Sequence, residues 1–223
     1  MQFEMQKIRT VFFDLDGTLI DNFIAIYRCY ADIAREMGLE PKSFERLRAT
    51  VGGSISMTLS RLIGDDLAPE GVRRFRAHFP DVMFDGVFVF DGAEELLKTL
   101  RSRGIACAVF TNKNHDAAVA LLQHLGLEKH LDRIFGTDMP EAPWRKPQRE
   151  FSEFVLREMR TSAENAMLVG DSPFDIQAAR AVGMRVACVT TGTHLPEPLI
   201  EASGTPEMIF PNLRALGAEL FGK

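Results

Sequence analysis

Short, continuously apolar runs recur along the chain, with longer amphipathic stretches between them. The runs are TVFFDL (10–15), IACAVF (105–110), RIFG (133–136), AMLVG (166–170) and RVACVT (185–190), with residues 208–210 as a short sixth. Continuous apolarity, rather than strict alternation, is what strands covered on both faces require. Stretches such as AEELLKTLRSRG, AAVALLQHLG and FDIQAARAVG carry apolar residues at helical spacing. Each ends in a glycine (Gly104, Gly126, Gly183) suited to a left-handed helix cap. Strand and helix in alternation predict an α/β fold built on a doubly wound parallel sheet.

Residues 20–85 break the alternation. Residues 21–38 read as one helix, with Phe23, Ile26, Tyr27, Tyr30, Ile33 and Met37 at helical spacing. Residues 43–50, 54–63 and 69–79 read as three more. A helical block placed directly after the first strand, with the sheet resuming near Val87, predicts an inserted cap (20–85). It would lie over the carboxyl edge of a core formed by 1–19 and 86–223.

Composition narrows the class. Of 223 residues, 46% are hydrophobic and 26% charged, which supports a packed core and a soluble surface. With 26 basic and 31 acidic residues the net charge is −5, without the basic footprint of a duplex-binding protein, so no nucleic-acid partner is expected. The amino terminus, MQFEMQKIRT, lacks the apolar stretch of a signal peptide, and no run has the length of a membrane span. Cys29, Cys107 and Cys188 are scattered and odd in number, as in a reducing compartment, and Cys107 and Cys188 lie inside apolar runs. A cytoplasmic protein without a membrane partner, monomer or homodimer, is expected.

Ligands of an open α/β sheet sit at the carboxyl ends of its strands. There the first run delivers Asp14-Leu15-Asp16-Gly17-Thr18, the second Thr111-Asn112-Lys113, and the fourth Gly170-Asp171-Ser172-Pro173-Phe174-Asp175. The loop after the third carries Arg145-Lys146-Pro147. An isolated Asp-x-Asp-Gly is as readily a solvated turn, but two further aspartates at a neighbouring strand end change the balance. Converging carboxylates repel, and each loses hydration beside apolar strands. A divalent cation removes the conflict, and oxygen donors without a nearby His or Cys favour Mg²⁺ over zinc. An aspartate beside that cation can attack phosphorus, with Lys146 and the Thr111 hydroxyl stabilising the phosphoryl charge. Asp16 is the candidate acid for the departing alkoxide and base for the incoming water.

DLDGTL, the apolar run ending in TN, the lysine of RKP and GDSPFD, in this order, resemble the haloacid dehalogenase superfamily, specifically its phosphatase branch with a helical cap. GTLIDN, TNKN and GDSPFDIQAARAVGM are most similar to the phosphoglycolate phosphatases of that branch. The resemblance implies Asp14 as nucleophile, Asp16 as acid/base, and Thr111, Asn112 and Lys146 around the phosphoryl group. It implies magnesium held by Asp14, the backbone carbonyl of Asp16 and Asp171, with Asp175 as a direct or outer ligand. The substrate implied is a small phosphorylated metabolite, phosphoglycolate-like or a sugar phosphate. The family's phosphoglucomutases carry a histidine where this chain has Ile26, and its phosphonatases a lysine on the first cap helix, where residues 21–38 have none. An inorganic pyrophosphatase, a β-phosphoglucomutase-like enzyme and a non-catalytic binding or regulatory protein are the alternatives. A non-catalytic descendant has no chemical reason to keep Asp16.

Other positions are open to two readings. Gly52-Gly53-Ser54 is either a helix–helix turn capped by Ser54 or a substrate-facing loop that includes Gly53. The cap arginines, Arg46, Arg48, Arg61, Arg73, Arg74 and Arg76, are solvated charges or binders of a second anionic group. His115 opens the helix after the TNK segment, within possible reach of substrate. Trp144 is expected to pack the seam between core and cap. Met57, Met83, Phe84, Phe88 and Phe90 are expected in the core or hinge.

Overall fold

A computed structural model describes residues 6–203 and 208–222. The predicted runs become a six-stranded, wholly parallel sheet. In chain order its strands are β1 (Thr10–Phe13), β4 (Ala106–Asn114), β5 (Arg133–Thr137), β6 (Ala166–Gly170), β7 (Arg185–Val189) and β8 (Ile209–Phe210). Across the sheet they run β5-β4-β1-β6-β7-β8, with β1 and β6 in the middle. Both central strands are buried throughout, which explains their unbroken apolarity. The parts of the expected core at residues 1–5, 204–207 and 223 lie outside the described residues.

Helices cover both faces. On one, α5 (Ala93–Ser102), α6 (His115–His124) and α10 (Leu213–Phe221) pack with Val11, Phe13, Val109 and Val169. On the other, α7 (Arg149–Glu158) and α8 (Pro173–Ala181) pack with Phe12, Phe110 and Leu168. Alternate residues of β1 thus enter opposite clusters, the period-two geometry of a strand buried on both sides. The short α9 (Pro196–Ser203) closes the edge over Ile176 and Cys188. Gly104, Gly126 and Gly183 take positive φ after their helices, as the sequence predicts.

Between β1 and β4, helices α1 (Phe23–Glu36), α2 (Phe44–Arg48), α3 (Ile55–Ile63) and α4 (Ala68–Val82) build an apolar cluster of their own around Tyr30, Leu59, Phe75 and Phe79. Two features differ from the sequence reading. The first helix begins at Phe23 because Ile20–Asp21 (β2) pairs antiparallel with Phe88–Val89 (β3), a two-stranded ribbon where the chain leaves and re-enters the sheet region. Two residues per strand are too few to leave a periodic signal. The fourth helix continues past Phe79 to Val82 with Pro80 inside it. A proline this close to a helix end sacrifices a single backbone hydrogen bond, and the Phe75–Phe79 stack holds the preceding turn.

All three cysteines are free and buried, and burial pushes the Cys29 and Cys107 thiols up to about 12 and Cys188 higher still. Of the residues expected in the core or hinge, Met83 joins the helical cluster, while Phe88 lies on the β2–β3 ribbon and Phe84 outside the cluster. Phe88 is 51% exposed on β3 against Phe90, and Phe84 lies at the surface stacked on His124. Trp144 packs on Phe154 of α7 and borders the space between sheet and helical block.

Candidate active site

The carboxyl ends of β1, β4 and β6 supply the chemistry-bearing side chains. β1 stops at Phe13, but Asp14 extends its ladder by one bond, donating its N–H to Val169 at 2.8 Å. The chain then turns at Gly17, whose φ is +87°. A Cβ at Gly17 would lie 2.6 Å from Asp171 Oδ2, so only glycine lets the two loops meet. On β4, four residue steps from Phe110 to Asn114 match two on β5, from Phe135 to Thr137. This bulge lifts Thr111, Asn112 and Lys113 off the ladder and aims them at the cleft.

The floor of the site is dry and ionic. Asp14, Lys146, Asp171 and Asp175 are 5%, 2%, 1% and 0% exposed. Lys146 Nζ donates to Asp175 Oδ1 at 2.6 Å. It also lies 3.0 Å from Asp14 Oδ1, so one ammonium pairs with both carboxylates. One oxygen each of Asp14, Asp171 and Asp175 falls within 4.8 Å of the others. Burial raises the Asp14 carboxyl to about 6 against the opposing pull of Lys146, with Asp175 and Asp16 adding to the rise. Burial, reinforced by Asp14 and Asp175, pushes Asp171 well up. Burial works against the Lys146 ammonium, but Asp14 and Asp175 outweigh it and hold its pKa above the usual lysine value.

Three members of this floor, Lys146, Asp171 and Asp175, are braced. Asp171 accepts from the Thr18 hydroxyl at 3.3 Å and from the Thr193 N–H at 3.1 Å. Asp175 Oδ2 accepts from the Ser172 N–H at 3.0 Å and its hydroxyl at 2.6 Å, so this carboxylate ties the start of α8 to Lys146. Asn112 turns both ends of its amide onto the Lys146 backbone: Oδ1 accepts from the N–H at 2.7 Å and Nδ2 donates to the carbonyl at 3.1 Å. The Asn112 side chain therefore fixes the lysine's place. Thr111 Oγ1 accepts from the Lys113 N–H at 3.2 Å, which leaves the hydroxyl proton free to donate.

Asp16 stands apart from the three converging carboxylates. Its Oδ2 accepts from Lys113 Nζ at 3.1 Å, at the border of a cavity of about 980 Å³ between sheet and helical block. The Lys113 ammonium also sits 4.8 Å from the centre of the Phe79 ring, so one side chain touches Asp16 and the helical block together. Gly53 borders the same cavity, while Ser54 caps α3 by accepting the Met57 N–H, as in the turn reading. His115 lies on a separate, smaller surface depression beside Asp132 and Glu141, away from this cavity.

Four arginines of the helical block divide by partner. Arg73 and Arg74 pair with Glu70, Arg74 also with Glu36. Arg76 reaches Asp138 after β5 at 2.9 Å. Arg48 donates to the Thr191 and Gly192 carbonyls at 3.3 and 3.2 Å, beside the loop that braces Asp171. Thr193 joins the two sides again, its hydroxyl donating to the Val51 carbonyl at 3.3 Å. The sequence reading assigned no role to Lys113, Thr18 or Thr193, and read Arg48 as a solvated charge or anion binder rather than as a clasp on backbone carbonyls. Lys113 and Thr193 carry the strand-end signal, since each follows an apolar run; the partner of Arg48 leaves no local trace.

Comparison with known proteins agrees with this architecture. The family model for haloacid dehalogenase-like hydrolases matches residues 11–189. A phosphoglycolate phosphatase from Pseudomonas fluorescens (strain Pf-5) is 30% identical over 222 residues, spanning 96% of this chain and 80% of that protein. A probable phosphatase, IndB, from Dickeya dadantii is 30% identical over 205 residues, spanning 89% of this chain and 87% of the relative. Among solved structures, a haloacid dehalogenase-like family protein from Streptococcus pneumoniae superposes with a TM-score of 0.86 at 24% identity, over 96% of this chain and 99% of that one.

Proposed function

Because the chain belongs to the haloacid dehalogenase-like hydrolase family, we propose that it is a magnesium-dependent phosphatase that hydrolyses a small phosphate monoester through a phosphoaspartyl intermediate on Asp14. The observation that carries this reading is the buried Asp14 carboxylate, paired with the Lys146 ammonium at 3.0 Å within a cluster of three carboxylates. The relatives' names make phosphoglycolate the first substrate to test.

The donor set fits a hard divalent cation. Asp14, Asp171 and Asp175 offer only oxygens, and burial, with the neighbouring carboxylates adding to it, disfavours the charged forms of Asp14 and Asp171, a cost that a bound cation would offset. Asp14 and Asp171 would hold the cation with the Asp16 backbone carbonyl, and Asp175, committed to Lys146 and Ser172, would act from the outer shell. When bound, magnesium supplies positive charge to the phosphoryl oxygens.

In the first step an Asp14 oxygen forms a bond to phosphorus as the bond to the ester oxygen breaks. Asp16 gives its proton to the departing alkoxide. Lys146 and the free O–H of Thr111 stabilise the equatorial oxygens as charge spreads over them. In the second step Asp16 takes a proton from water, which attacks phosphorus and releases phosphate, restoring the Asp14 carboxylate. Lys113 positions Asp16 through their ion pair. Residues 20–85 act as the cap over this chemistry, in a cytoplasmic monomer or homodimer. Among the described residues, no helix is long and apolar enough to cross a membrane.

The test is hydrolysis of a panel of phosphate esters with magnesium, with calcium and after exhaustive chelation. Turnover should vanish with the chelator, return with magnesium and return poorly with calcium, whose looser coordination shell misplaces the nucleophile. Full activity after chelation would refute the reading.

A further inference from the structure

The cavity above Asp16 is large for the leaving group of phosphoglycolate. The Asp14–Lys146–Asp171–Asp175 cluster that would take the phosphoryl group lies off its lining, so the alcohol is left to this space of about 980 Å³, which opens to solvent on one side. That is the upper end of pockets that hold drug-sized molecules, about 300–1,000 Å³, whereas glycolate is a two-carbon acid. Nor is the space a gap left by a swung-out cap. Arg48 reaches Gly192, Thr193 reaches Val51, and Arg76 pairs with Asp138, all across the seam.

The lining chemistry argues in the same direction. The cap presents Ile26, Val51, Ile55, Phe75, Phe79 and Met83 to the cavity. The lining carries three cations, Lys113, Arg76 and the exposed Arg145, against three carboxylates, Asp16, Asp116 and Asp138, so it offers no net positive charge to a second anionic group. Lys113 is already engaged with Asp16 and Arg76 with Asp138. Of the cap arginines, Arg76 alone borders the cavity among the described residues.

We infer that the substrate is a phosphate monoester whose alcohol carries a bulky, uncharged, ring-containing apolar group, seated against Phe75, Phe79 and Ile55, rather than a small hydroxy acid. The inference rests on the phosphatase reading for its chemistry, while the pocket's preference can be measured without turnover.

The experiment compares ethyl phosphate, phosphoglycolate and 2-phenylethyl phosphate in magnesium. All three release an alkoxide, so differences report the pocket more than the ease of departure. Burying the phenyl group should raise kcat/KM at least about tenfold over ethyl phosphate, with phosphoglycolate no better than ethyl phosphate. Phosphoglycolate matching or exceeding 2-phenylethyl phosphate overturns the inference and leaves the phosphatase reading standing. Hydrolysis of none of the three counts against the phosphatase reading. The pocket is then read by binding, because Trp144, the chain's one tryptophan, borders the cavity. Its fluorescence is titrated with the non-hydrolysable 3-phenylpropylphosphonate and 3-phosphonopropionate. Saturation by the phenyl compound at a concentration at least about tenfold lower supports the inference; equal or reversed order overturns it.

Discussion

At the floor of the cleft, four charged side chains are nearly sealed from water, and almost every polar atom among them has a fixed partner. Across the cavity, the cap offers aromatic and aliphatic surface, and its Arg48, Arg73, Arg74 and Arg76 are occupied by Glu70, Glu36, Asp138 and backbone carbonyls. The floor is therefore preorganised for one charge pattern, that of a phosphoryl group. The roof is shaped mainly by volume and apolarity, which discriminate less sharply: a methylene in such a pocket is worth about 10–200-fold. Changes at the floor should abolish turnover of every substrate, and changes at the roof should reorder substrates.

The largest expected effect is at the floor's centre. Asp14→Asn is nearly isosteric but cannot attack phosphorus, so turnover should fall by about 10⁴-fold or more with the fold intact by circular dichroism. Retention of more than a few per cent of activity in a clean preparation would remove Asp14 as the nucleophile.

Asp16→Asn tests the boundary between the two regions. General acid catalysis contributes about 10²–10⁴-fold, chiefly when the departing oxygen is strongly basic. Alkyl esters should lose that factor, while an aryl phosphate with an acidic phenol keeps a faster first step. Without the base for the second step, phosphoenzyme should accumulate. A burst of phenol roughly stoichiometric with enzyme, with phosphate trapped on Asp14, is the expected record. Equal slowing of alkyl and aryl esters without a burst would deny Asp16 both roles.

Lys113→Met should be milder, about ten- to a hundredfold in kcat, because Lys113 positions Asp16 without touching phosphorus. The loss should fall on kcat more than KM, be larger for alkyl than for aryl esters, and be partly rescued by Lys113→Arg. A loss independent of the leaving group would assign Lys113 to the phosphoryl side instead.

The smallest effect belongs to the roof. A Cβ at Gly53 would lie 3.0 Å from the flexible Met57 sulfur and 3.3 Å from the Phe174 ring, and its φ is not in the left-handed region, so Gly53→Ala needs only a small shift of these side chains. Crowding the cavity should cost 2-phenylethyl phosphate up to about tenfold in kcat/KM relative to ethyl phosphate. A uniform loss on both would make the position a plain turn.

The sequence by itself determined the strand–helix alternation, the helical insertion and the identities of Asp14, Asp16, Thr111, Lys146, Asp171 and Asp175. The reasons are local: a buried parallel strand must be apolar along its length, and the residue after it must lie at the carboxyl edge. Tertiary structure decided what those residues do to one another. Lys146 lies on a loop without periodic signal, and only packing places it between Asp14 and Asp175. Asn112 reads from sequence as a phosphate binder, yet its amide is spent on the Lys146 backbone, a contact across 34 residues. The Lys113–Asp16 pair spans 97 residues and the Arg48–Gly192 clasp 144. Contacts that distant depend on the path of the whole chain, so no spacing in the sequence could announce them. The apolar roof is a surface assembled from three separate cap segments, and its character appears only when they are folded together.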